Sequence, residues 1–287
     1  MRVIVTGGSG KLGRAAVVDL MDHGHEVWNY DIAPSPDPRA RFTRVDLTDF
    51  GQTYEAFRGM DGAWDRADAV VHLAAIPAPG LAPNAALFAN NMLSTFHVFS
   101  AAHHAGIRNV VWASSETVLG IPFDTPPPYV PVDEDYPPRP ESVYSLAKTL
   151  EEAMAREFCR WDPQSKLLGL RFSNVMEPAD YALFPSFDAD ARLRKWNLWA
   201  YIDARDGAQA IRLAVGHEST GFDAFIIANA DTVMRRSSAD LVAEVFPGVD
   251  VRKTLGEHET LLSIDKARRV LGYEPTHSWR EQVDPAL

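Results

Sequence analysis

A glycine-rich turn between a β-branched run and a helical repeat constrains this chain more than any other feature. Residues 2–6 (R-V-I-V-T) lead into Thr6-Gly7-Gly8-Ser9-Gly10-Lys11-Leu12-Gly13, and Leu12, Ala15, Ala16, Val18, Leu20 and Met21 follow at roughly helical spacing. Strand, turn and helix in this order form the opening of a parallel α/β unit, and only glycine lets the backbone turn so sharply and come close to a pyrophosphate, whose charge then meets the helix N-terminus. Asp31 ends the next strand, about twenty residues on, where a carboxylate can hold both ribose hydroxyls of an adenosine. Asp46, in Val45-Asp46-Leu47 after the third strand, is placed to meet an adenine amino group.

The rest of the first 175 residues keeps the alternation. Strands are predicted over 26–30, 42–45, 69–73, 110–113 and 167–172, and helices over 84–105 and 143–160, a pattern that builds a doubly wound parallel sheet. No Asp, Glu, Lys or Arg occurs from Ala69 to Ile107, yet Pro77, Pro79 and Pro83 break that stretch and leave no unbroken apolar run of membrane-spanning length. Residues 122–140, rich in proline and acid, are long for an α/β connection and are expected to form a functional loop. Beyond about residue 175 the alternation weakens. A helix is predicted over 206–215, a strand over 224–227 and helices joined by turns from about 237. We therefore expect a Rossmann-like α/β fold in which residues 1–175, joined by about 200–230, bind a cofactor, while 176–199 and 231–287 form a small C-terminal substrate cap.

Composition narrows the partners. Asp and Glu exceed Lys and Arg, 39 to 28, for a net charge of −11, which repels nucleic acid and anionic membrane surfaces. A single cysteine, Cys159, permits no internal bridge, and the opening residues read as a strand, so a cytoplasmic protein is expected. No cluster of metal-ligand spacing is evident.

Tyr144 and Lys148 stand four apart in Tyr144-Ser145-Leu146-Ala147-Lys148 and so share a helix face. An ammonium about 4 Å from a phenol, at an effective dielectric near 20, is worth roughly 4 kcal/mol, enough to bring the tyrosine toward neutrality as an acid/base. With these residues the order of motifs resembles the extended short-chain dehydrogenase/reductase superfamily, which includes sugar epimerases, dehydratases and uronate dehydrogenases. The resemblance rests on the glycine loop, Asp31, Asp46-Leu47, His72-Leu73-Ala74-Ala75, Asn91-x-x-Ser94-Thr95, Ser114-Ser115-Glu116-Thr117, Tyr144 to Lys148, Arg171-Phe172-Ser173-Asn174, Tyr201-Ile202-Asp203 and Leu271-Gly272-Tyr273, spread over nearly the whole chain.

The resemblance implies NAD as cofactor, held by Gly7, Gly10, Lys11, Leu12, Gly13, Asp31, Asp46, Leu47, Leu73, Ala74, Ala75, Asn91, Tyr144, Lys148 and Phe172. It implies a catalytic set of Ser115, Tyr144, Lys148 and Asn91, and a homodimer built on the two long helices. Two departures narrow the chemistry: the paired carboxylates of sugar dehydratases are reduced to Glu116-Thr117, and the interval from Asn174 to Tyr201 is less than half that of nucleotide-sugar enzymes. A hydride transfer between NAD and a small hydroxyl or carbonyl compound, plausibly a sugar or sugar acid, is expected; a sugar epimerase that retains its NAD and a silent NAD sensor are the alternatives. The substrate is expected to touch Ser115, Glu116, Tyr144, Asn174, Arg194 and Trp199, with Arg194 holding an anionic group by analogy with uronate dehydrogenases.

Overall fold

The computed structural model describes residues 1–60 and 66–282. Strand β1 (Arg2–Thr6) passes through the glycine turn into α1 (Lys11–Asp22), and β2 (Glu26–Asp31), β3 (Arg41–Arg44), α2 (Phe50–Phe57) and β4 (Ala69–His72) follow. Next come α3 (Asn84–His104), β5 (Asn109–Ser115), the short β6 (Tyr129–Val130), α4 (Val143–Trp161), β7 (Lys166–Phe172) and β8 (Val175–Met176). The remainder holds β9 (Ile202–Asp203), α5 (Ala204–Gly216), β10 (Gly221–Ile227), α6 (Ser238–Val245), β11 (Asp250–Val251) and α7 (Asp265–Leu271). Seven strands form one parallel sheet in the order β10-β7-β5-β4-β1-β2-β3.

Period-two alternation sorts the strand side chains to the two faces. Val3 and Val5 of β1, with Val71 and Val111, join the core beneath α1 and α5; Ile4, with Val70, Val110 and Trp112, joins the core beneath α2, α3 and α4. With both faces covered, β4 is buried at every position, which explains its unbroken apolar run. Chain progress reverses between β1 and β4: β2 and β3 extend the sheet one way, β5, β7 and β10 the other. A crevice opens at such a switch point, beyond the carboxyl ends of the strands.

Two expectations change. Residues 122–140 are not loop throughout, because β6 pairs in parallel with β11, Val132 bridges Leu262, and Phe123, Val130 and Val132 are buried. The tail after 237 accordingly carries a strand between its helices, too short to leave a period in the sequence. Among the described residues no helix is long and apolar enough to cross a membrane.

Candidate active site

A cavity of about 820 Å³ runs along this crevice. At one end lies the glycine turn. Gly7 has φ +73°, and a Cβ there would stand 2.5 Å from the backbone nitrogen of Ala74; a Cβ at Gly13 would stand 2.1 Å from the Gly7 carbonyl. These two glycines thus let turn, helix and neighbouring strand close on one another. Helix α1 begins at Gly10 without a side-chain cap and with no acidic residue in its first turn. Its first amides therefore lie along the cavity wall at Lys11, Leu12 and Gly13 with the positive end of the helix dipole behind them, which suits a pyrophosphate.

Asp31 sits at the tip of β2, its Oδ2 accepting from the Ser9 amide at 3.0 Å and its Oδ1 from Ala33 at 3.1 Å, so the carboxylate is fixed at the cavity edge. Asp46 and Leu47 line the same end, Asp46 turned by bonds from the amide and hydroxyl of Thr48. Leu73, Ala74 and Ala75 line the middle, and Phe172 and Asn174 the far wall.

Ser115, Glu116 and Tyr144 meet at the other end, where β5 stops and α4 starts. Ser142 caps α4 in a reciprocal capping box with Ser145, which puts Tyr144 in the first turn and Lys148 one turn deeper, its Nζ 6.0 Å from the phenol ring centre. Ser115 eases the ionisation of the phenol. The expected fall of the phenol's ionisation toward neutral pH does not result. Burial pushes the Tyr144 phenol above its ordinary value, and Glu151 and Glu116 add to the rise against Lys148 and Ser115. Lys148 is itself engaged, donating to the Ala113 carbonyl and to Glu151 Oε2, each at 2.9 Å.

Glu116 is 3% exposed, and burial raises its carboxyl to about 7, with Ser173, Asn197 and Arg194 pulling it down. Asn197 Nδ2 donates to its Oε1 at 3.2 Å, while Oε2 has no partner.

Four expected residues do not line the cavity, Lys148 among them, 3% exposed and held behind Tyr144 by Ala113 and Glu151. Asn91 is fully buried and clamps the Ile76 backbone, accepting from its amide at 2.8 Å and donating to its carbonyl at 3.0 Å; its neighbour Asn90 lines the cavity instead. Trp199 is fully buried, donating to the Ala191 carbonyl and packed edge-on against Phe246, and Trp196 stands at the wall in its place. Arg194 lies inside its own segment, donating to the Ala200 carbonyl at 3.0 Å between the rings of Phe187 and Trp196, with its charge directed at Glu116 rather than at the cavity. The sequence reading passed over Asn90 and Ser173, each next to a residue it chose, and Trp196, two positions past Arg194; it also passed over Glu151, whose signal was its place three residues beyond Lys148 on the same helix.

The NAD dependent epimerase/dehydratase family model matches residues 3–228. This chain belongs to that family. It is an enzyme of the extended short-chain dehydrogenase/reductase type, and NAD is its cofactor. A curated relative, UDP-glucose 4-epimerase 2 of Oryza sativa subsp. japonica, is 31% identical over 198 residues, 62% of this chain and 46% of the relative, so the match spans about half of that enzyme. Among solved structures, a UDP-galactose 4-epimerase is 28% identical with a TM-score of 0.70, covering 98% of this chain and 96% of its own. A short-chain dehydrogenase/reductase superfamily protein from Agrobacterium tumefaciens, solved with bound NAD, is 25% identical with a TM-score of 0.72, covering 98% of this chain and 94% of its own.

Proposed function

We propose that this protein is an oxidoreductase that moves a hydride between NAD and a small hydroxyl or carbonyl substrate of the sugar class. The observation that carries the reading is the convergence of Ser115 and Tyr144, backed by Lys148, at one end of a cavity whose other end is the glycine turn and Asp31. The turn and the α1 amides hold the pyrophosphate, Asp31 the adenosine ribose, and Asp46 and Leu47 the adenine; Leu73 to Ala75 and Phe172 flank the nicotinamide half. When bound, the nicotinamide supplies the carbon that accepts or gives the hydride.

Ser115 orients the substrate oxygen, Tyr144 exchanges its proton and Lys148 positions the phenol. Residues 176–199 and 231–287, of which 283–287 lie outside the described part, serve as the cap over the substrate, and 1–175 with 200–230 as the cofactor-binding body. A homodimer through α3 and α4 is part of this reading, as is the cytoplasm, on the strength of one free, buried thiol at Cys159.

A second reading is favoured by the relatives, which are UDP-glucose 4-epimerases: a sugar epimerase that keeps its NAD bound throughout. The short segment from Asn174 to Tyr201 leaves little room for a nucleoside diphosphate. Screening neutral sugars, sugar acids and aldehydes separates the two, since a dehydrogenase builds up free NADH and an epimerase yields a stereoisomer without it. In either case Tyr144→Phe, folded and still binding NAD, should lose about 10²- to 10⁴-fold in turnover. Normal turnover by that variant would overturn the assignment.

A further inference from the structure

At the reacting end the cavity wall carries polar atoms that the fold leaves open. Strands β5 and β7 run side by side with Ser115 opposite Phe172, so the next residues, Glu116 and Ser173, emerge together at the carboxyl edge of the sheet, and both line the cavity. Each is 3% exposed, and Glu116 Oε2 and Ser173 Oγ are buried without a hydrogen-bond partner. Folded chains satisfy nearly all their buried polar atoms, so two left open side by side at a cavity wall point to an oxygen that arrives with a ligand. The carboxyl is held from behind. Asn197, fully buried, donates to Glu116 Oε1 at 3.2 Å and to the Ala200 carbonyl at 2.9 Å, which leaves Oε2 as the uncommitted oxygen.

The charges around this wall decide what that oxygen can belong to. Among the described residues that line the cavity, Lys11 is the only cation, and it lies at the cofactor end, paired with Asp180 at 2.7 Å. Lys148 stands behind Tyr144, bound to Ala113 and Glu151, and Arg194 donates to the Ala200 carbonyl with its charge toward Glu116. At the reacting end Glu116 is thus the one charged group on the wall. A carboxylate brought there would meet a second acid and no counter-ion. A hydroxyl is donor and acceptor at once, and so can donate to Glu116 Oε2 while it accepts from Ser173. We propose that Glu116 and Ser173 form a subsite for a hydroxyl of the substrate, beside the oxygen handled by Ser115 and Tyr144, and that this subsite selects an uncharged, polyhydroxylated substrate over the corresponding sugar acid. Asn197 is the positioning residue that presents the Glu116 carboxyl.

The inference rests on the proposed function and narrows its substrate, and its test reads binding instead of turnover. Tyr144→Phe loaded with NAD is titrated by calorimetry at pH 8, above the value of about 7 to which burial raises Glu116. The probes are matched pairs of a neutral aldose and its uronic acid in the glucose, galactose and mannose series. The neutral sugar of the best-binding series should bind about tenfold or more tightly than its acid. Glu116→Gln on the same background keeps the hydrogen-bonding shape and loses the charge, so the gap should shrink by about threefold or more, while Ser173→Ala should weaken the neutral sugar about tenfold. An acid that binds as tightly as its neutral partner, a gap that Glu116→Gln leaves unchanged, or no binding in any series overturns the proposal. Should Glu116→Gln fail to fold, the order within each pair and the effect of Ser173→Ala still decide. Turnover by Tyr144→Phe would strike at the proposed function alone, and the ratio of kcat/KM within each pair would then carry the test of the subsite.

Discussion

At the scale of single residues, two carboxylates show how one functional group takes opposite roles from its surroundings. Asp31 is fixed by two backbone amides at the cavity edge and followed by Ile32, Ala33 and Pro34, with no arginine beside it. A 2′-phosphate would meet that charge uncompensated, a cost of a few kcal/mol at an effective dielectric near 20. Calorimetric titration should therefore show NAD binding far more tightly than NADP, and Asp31→Ala should narrow the gap. Equal affinities for the wild type would refute the reading. Glu116 is buried, and its carboxyl is raised to about 7 from an unfolded value near 4.5. The folded state then holds the proton more tightly than the unfolded chain, so the stability this provides is complete below about pH 4.5 and gone above about pH 7. Glu116→Gln does not titrate. Its melting temperature relative to the wild type should rise between pH 5 and pH 8, by an amount equivalent to about 3 kcal/mol at most; a constant difference across that range contradicts a proton held at Glu116.

Among the elements, the segment from Ala191 to Asn197 departs furthest from what its sequence suggests. A run with Arg192, Arg194, Lys195 and Trp196 in an acidic protein reads as a cradle for an anion. In the fold the cations are taken by their own neighbourhood: Lys195 pairs with Asp124 at 2.9 Å, Arg192 lies within 4 Å of Asp190 and Glu244, and Arg194 lies between two aromatic rings with its charge toward Glu116. Arg194→Ala should thus cost stability, about 2–4 kcal/mol, because the Ala200 carbonyl and two ring faces lose a buried partner together. Denaturant titration measures the loss. On whichever substrate the screen finds, the variant should affect an acid and its neutral analogue alike, and a KM raised for the acid alone would return Arg194 to the substrate.

For the molecule as a whole, the open question is what covers the outer faces of α3 and α4. Leu93 and Phe96 on α3 and Leu146 and Leu150 on α4 are 38–46% exposed, at helical spacings of three and four. The two helices pack side by side, so these residues form one apolar patch on the surface. A second copy meeting it about a two-fold axis would bury it as a four-helix contact. Light scattering at micromolar concentration should return about twice the chain mass of 31.8 kDa, and Phe96→Glu with Leu150→Glu should return the mass of one chain.

What the sequence alone determined is what depends on local geometry and short spacing. The glycine turn and α1, Asp31 at the end of β2, the Tyr144 to Lys148 repeat and the alternation that builds the sheet are all encoded within windows of one element, where backbone sterics and side-chain period leave few choices. What only the tertiary structure decided is which of two nearby candidates faces the cavity. Asn90 rather than Asn91 reaches it, because one position is a turn of about 100° on α3 and the phase is set by packing partners far along the chain; Trp196 rather than Trp199 reaches it, because Trp199 is packed inside against Phe246. The charge on the phenol was decided the same way. Lys148 is close to Tyr144 in sequence and in space, but burial, which only the packed sheet and helices supply, raises the phenol first, and Glu151 and Glu116 add to the rise.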